Sequence, residues 1–109
     1  MGLDIRFTQR KKLICPKCGE IVGHNDVRTV DSCGRGWYPL LESVGYYVPY
    51  EERTEENDWY CKDMTLTAEQ ADEAYRFVEK HDLYDSYSVA MLIASARYGN
   101  DDIVVNADW

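Results

Sequence analysis

The stretch from Thr67 to Trp109 constrains the fold more than any other part of the chain. "TAEQADEAYRFVEKH" opens with Thr67 and carries Gln70 three residues on, the pattern of a capping box in which each side chain bonds the other residue's backbone amide. Ala71, Ala74, Tyr75 and Val78 then fall on one stripe while Asp72 and Arg76 stand four apart on another face, which predicts an amphipathic surface helix. After "DLYD", Asp85 or Ser86 is placed to cap a second helix, "YSVAMLIASARYG", stopped by Gly99. Its apolarity runs nearly all round, so it is expected at the centre of the core. "DIVVNADW" reads as a last strand, and it needs a sheet to join.

That sheet is supplied by the other end of the chain. "LDIRFTQ" alternates Leu3, Ile5 and Phe7 with polar neighbours, the period-two pattern of a half-buried strand. "EIVGHNDVRTVD" predicts one or two further strands of an antiparallel ribbon, with "GHND" as a hairpin turn in preference to an acid/base centre. The "CGRG" turn, Cys33 to Gly36, ends this portion. "WYPLLESVG" predicts a short helix with Pro39 in its first turn and Gly45 as its stop. "YYVPYEERTEENDWYCKDM" shows no period, and so long a loop in a compact domain is commonly functional or mobile. The expected fold is α+β, a small antiparallel sheet with a zinc-knuckle-like N-terminal head packed on two C-terminal helices. A chain of 109 residues is expected to form one domain, divided into residues 1–36, 37–66 and 67–109.

No cationic stretch leads into an apolar signal segment, and Arg6 stands where a myristoylation signal at Gly2 requires Ser or Thr. The longest apolar run, "VAMLIASA", is far shorter than the roughly 20 residues that span a bilayer. The expectation is a soluble cytoplasmic protein without a membrane partner, whose four cysteines are reduced and more suited to metal than to disulfides.

Cys15 and Cys18 in "CPKCG" have the spacing of half a zinc site: Pro16 restricts the turn, and Gly19 lets backbone amides approach the sulfurs. No second pair follows. Cys33 and Cys61 are the candidate third and fourth ligands, with His24 as a substitute for either and His81 remote. A thiolate-rich site is closed and activates water poorly, so any zinc is expected to be structural. A thiol redox role needs the first cysteine at a helix N-terminus, whereas "GEIVGHNDV" favours a strand. There is no "HExxH", no deaminase zinc pattern and no phosphate-cradling glycine loop, and no enzymatic activity is expected.

Charge is divided along the chain. Met1 to Gly36 carries seven Lys/Arg against four Asp/Glu, a net of +3, while the remainder carries five against sixteen, a net of −11. Such a body repels phosphate and attracts basic surfaces. Tyr, Trp and Arg are the usual anchors of protein interfaces. The candidate partner-binding residues are therefore Trp37, Tyr46, Tyr47, Tyr50, Glu51, Glu52, Glu55, Glu56, Asp58 and Trp59. Carboxylates there take the positions of phosphates, and aromatic faces the positions of stacked bases. Direct nucleic-acid binding through "RFTQRKK" and the knuckle is the rival reading, which the acidic body opposes.

The "MGLDI" opening, the "CPKCGE" knuckle and the "RGWYPLLE" and "YYVPYEERTEENDWY" blocks resemble small proteins of Gram-positive phages and other mobile elements, a group with no assigned activity. In size and charge the chain is also similar to anti-CRISPR proteins, compact acidic inhibitors of basic RNA-guided nucleases. The net −11 body and the surplus of aromatics, alongside the likeness in size and charge, lead to the expectation of a non-enzymatic inhibitor that binds a basic, nucleic-acid-binding protein such as a defence nuclease. The alternative is a zinc-ribbon nucleic-acid-binding or transcription-linked protein. Neither likeness carries over site residues.

Overall fold

Residues 3–83 and 85–109 are described in a computed structural model of the chain; Gly2 lies outside them. In chain order the elements are β1 (Asp4–Ile14), β2 (Ile21–Cys33), a 3-10 turn (Arg35–Trp37) running into helix α1 (Tyr38–Ser43), a 3-10 turn (Tyr50–Glu52), β3 (Met64–Thr65), helices α2 (Ala68–Lys80) and α3 (Ser86–Gly99), and β4 (Asp102–Asp108). All strand pairs are antiparallel, in the order β2-β1-β4-β3. The α+β architecture with two C-terminal helices is thus as expected, and the last strand enters the sheet between β1 and β3.

Alternation in β1 sends Ile5 and Phe7 into the core, and Leu3, just before the strand, follows the same side. They meet Leu40 and Leu41 of α1, Ala71, Ala74 and Val78 of α2, and Val89, Leu92, Ile93 and Ala96 of α3 in one buried cluster. Trp37 is fully buried there, 5.4 Å from the Phe7 ring and 6.2 Å from Phe77. Its Nε1 donates to Ser32 Oγ at 3.1 Å, so the ring's one polar atom is satisfied inside the core.

The capping box of α2 forms in both directions. Gln70 N donates to Thr67 Oγ1 at 3.1 Å and Thr67 N to Gln70 Oε1 at 2.8 Å, while Gln70 Nε2 reaches Val44 O at 2.7 Å and ties α2 to the end of α1. Thr67→Ala is expected to cost about 1 kcal/mol, read as a lower urea midpoint with an unchanged slope.

Four expectations for the helices are corrected. Asp85 has a left-handed backbone, φ 63°, and makes no side-chain cap bond, because N-capping needs an extended residue. Gly99 is the last helical residue; Asn100, at φ 57°, takes the left-handed stop position, and the Asp101 amide closes the turn on Ala96 O at 2.8 Å. α3 is buried on one side only, leaving Tyr87, Met91 and Tyr98 exposed. Asp72 pairs with Arg97 of α3 rather than with Arg76, which meets Glu73 instead.

β1 and β2 outrun the rest of the sheet. β4 pairs with β1 only as far as Arg10, so Lys11–Ile14 and their β2 partners form a two-stranded arm. The ladder shifts register between Gln9 and Arg10 and again between Leu13 and Ile14, leaving Val27 and Val22 as the unpaired residues of β2. The radius of gyration is 14.5 Å, above the roughly 13 Å of a compact chain this long. "GHND" lies within β2 and not in a turn: His24 stands opposite Lys12 and Asn25 opposite Lys11. Polar residues appear there because the arm meets water on both faces.

Candidate functional site

The turn joining the two strands of the arm is the "CPKCG" segment. Gly19 takes φ +74°, its amide donates to Cys15 O at 2.9 Å, and the Cys15 amide donates to Glu20 O at 2.8 Å. Inside that turn the amides of Cys18 and Lys17 point at the Cys15 sulfur; their hydrogen bonds, joined by one from the Cys18 thiol, hold the Cys15 thiol below its ordinary value. Donors aimed at sulfur stabilise the anionic form that binds metal. The pair sits between two strands, with no helix dipole behind it.

The other expected ligands lie elsewhere. Cys33 pairs with Asp4 at the far end of the ladder from Ile14↔Ile21, about 30 Å away at a strand rise of about 3.3 Å per residue. Cys61 is beside β4, its amide bonded to Ala107 O at 2.9 Å, with β1 and β4 between it and Cys33. His24 is on the arm opposite Lys12, and His81 stacks on Phe77 at the end of α2. Among the described residues no three His, Cys, Asp or Glu side chains are grouped to hold a metal ion. A zinc ion accepts sulfur at about 2.3 Å. The four-thiolate set Cys15, Cys18, Cys33 and Cys61 is therefore not assembled within one chain, nor does His24 complete the pair.

The open face of the sheet pairs its cations. Arg6 Nε donates to Asp31 Oδ1 at 2.6 Å, Arg10 Nε to Asp26 Oδ1 at 2.8 Å, and Lys12 Nζ lies 3.4 Å from Asp102. Bonding to Arg10 holds the Asp26 carboxyl below its usual range, and Asp31 raises Arg6 further. Lys11, Lys17, Arg28 and Arg35 have no ion pair among the described residues. Three of the four "RFTQRKK" cations expected to face phosphate are thus already paired at close range, by Asp31, Asp26 and Asp102.

The acidic aromatic segment is a shaped loop on an aromatic base. Tyr46 is fully buried; its hydroxyl accepts the Ala107 amide at 2.8 Å and donates to Lys62 O at 2.6 Å, and burial pushes its phenol up. Trp109 packs edge-on against Tyr46, Tyr47 and Tyr60, at 6.1, 5.1 and 4.8 Å. Arg53 donates to Val48 O at 2.9 Å and lies 5.8 Å from the Tyr47 ring and 5.4 Å from the Trp109 ring. Above this base Thr54 N donates to Asn57 Oδ1 at 2.6 Å and Asn57 Nδ2 to Glu52 O at 3.2 Å. Glu51, Glu52, Glu55 and Glu56 are exposed, Asp58 is half-buried, and Tyr50 is 84% exposed.

The expected surface is corrected accordingly. Trp37 and Tyr46 belong to the core, and Tyr47 and Trp59 are half-buried against it. Sequence reading missed Trp109, whose part in the base is invisible without the fold, and the exposed apolar side of α3.

Among the described residues no helix is long and apolar enough to cross a membrane. Comparison with protein-family models, curated proteins and solved structures returned no match.

Proposed function

We propose that this chain is a non-enzymatic interaction protein whose acidic loop engages a basic, nucleic-acid-binding protein, with RNA-guided and other defence nucleases as the partner class. One observation carries the reading: Glu51, Glu52, Glu55 and Glu56 are displayed, with exposed Tyr50, on a loop held by Arg53, Asn57 and an aromatic base. Carboxylates carried on a backbone already held in shape cost less ordering entropy on binding than the same residues on a free strand. They present a spread of negative charge that a groove built for phosphate attracts over several ångströms.

The test adds purified protein to such a nuclease and measures DNA binding and cleavage. Inhibition that weakens with salt is the expected result, and neutralising all four carboxylates (Glu51→Gln, Glu52→Gln, Glu55→Gln, Glu56→Gln) is expected to lower the association rate about tenfold or more at low salt. Unchanged DNA binding and cleavage across representative nucleases contradicts the proposal. The zinc-linked nucleic-acid-binding alternative predicts a gel shift with DNA or RNA alone at low salt; the acidic-loop reading predicts none.

A further inference from the structure

The Cys15/Cys18 turn at the tip of the arm is half of a metal site, and the fold keeps every other sulfur of the chain away from it. We propose that it binds zinc between two copies of this chain, each copy giving Cys15 and Cys18 to one tetrahedral four-thiolate centre. This site lies on the arm and does not depend on the acidic loop.

Four observations lead there. The two cysteines share one turn, Cys18 exposed and Cys15 half-buried, and the turn is closed by the Gly19 amide on Cys15 O at 2.9 Å and the Cys15 amide on Glu20 O at 2.8 Å. Two cysteines three positions apart in one closed turn can turn both sulfurs to a single zinc ion. Second, Cys33 and Cys61 lie at the far end of the sheet, and no third ligand is grouped with the pair among the described residues. Zinc held in a closed structural site takes four ligands, and two identical pairs related by a twofold axis supply them. Third, the arm projects past β4, so a second arm can reach its tip without a clash between bodies.

Fourth, the strand ends next to the knuckle are apolar and wet. Leu13 is 45% exposed, Ile14 52%, Ile21 54% and Val22 67%. A lone two-stranded ribbon gains little by placing four such side chains in water, and clustered exposed apolar residues mark contact surfaces. A second copy brings the same four residues to the same place, so one contact covers both sets. Charge selects in the same direction: zinc with four thiolates carries a net charge of −2, and Lys17 from each copy, free of ion pairs among the described residues, stands beside it.

The full chain is purified reduced and examined by native mass spectrometry and light scattering with zinc, with a chelator, and with cobalt(II) in place of zinc. The expected result is a dimer holding one zinc per two chains, converted to monomer by chelator, with cobalt giving the absorption of a tetrahedral four-thiolate site at one metal per two chains. Cys15→Ser/Cys18→Ser is expected to be a folded monomer with no tight zinc, and Cys33→Ser/Cys61→Ser to dimerise as the parent does. One zinc per monomer, loss of metal in the Cys33→Ser/Cys61→Ser variant, a dimer that persists in chelator, or a monomer that takes up no zinc would each overturn the proposal. Circular dichroism of each variant separates loss of the site from loss of the fold, and the chelator arm needs no variant.

Discussion

Trp37→Ala is expected to destabilise the domain by about 3–5 kcal/mol, the range for removing a large buried aromatic ring. Trp37 is fully buried and touches both layers of the fold: Phe7 of β1 on one side and Phe77 of α2 on the other. Truncation leaves a cavity between sheet and helix and removes the indole donor from Ser32 Oγ. A domain of this size is stable by about 5–15 kcal/mol, so the loss takes a large share of the total. Urea denaturation followed by far-UV circular dichroism checks it; a loss below about 1 kcal/mol would show that Trp37 does not join the layers as described.

Tyr46→Phe is the second large effect, about 1–3 kcal/mol from a single oxygen atom. β3 has only two residues, so it leaves the outer edge of β4 unpaired where Ala107 lies. The Tyr46 hydroxyl takes the place of a strand neighbour there, accepting the Ala107 amide at 2.8 Å, while the Cys61 amide donates to Ala107 O. Phenylalanine keeps the packing and leaves a buried amide unmet. The pH dependence has a definite sign. Burial raises the phenol in the folded state, so the hydroxyl's contribution is full below the unfolded value near 10 and is lost as pH rises toward the folded value. The stability gap between parent and Tyr46→Phe is therefore expected to be constant from pH 7 to 9 and to shrink above about pH 10.

What was legible in the sequence follows from how local each signal is. The capping box at Thr67 and Gln70, the stripe Ala71, Ala74 and Val78, and the alternation Leu3, Ile5, Phe7 depend on neighbours a few residues away, and each appears in the fold. β3 carries no period because two residues cannot show one. "GHND" resembles a turn because its residues are polar, but polarity there reports an arm wet on both sides. The outer residues Tyr87, Met91 and Tyr98 of α3 look like core by composition, and only the placement of the sheet shows which side is covered. Among the aromatics of the acidic segment, composition alone cannot sort buried Tyr46 from exposed Tyr50, since both border the same apolar run. The cysteines are the sharpest case: the spacing of Cys15 and Cys18 defines a local turn, while the distance from Cys18 to Cys33 is set by the length of the hairpin.

The acidic loop's role as a binding surface is tested most directly by calorimetric titration of one inhibited nuclease with the parent chain and with the variant carrying Gln at positions 51, 52, 55 and 56, at low and moderate salt. Those side chains are exposed and outside the core, so the variant is expected to keep the parent's stability within about 0.5 kcal/mol. The predicted result is binding by the parent that weakens as salt rises, with the neutralised variant at least tenfold weaker at low salt and nearly indifferent to salt. Equal affinity of the two proteins at low salt would contradict the account.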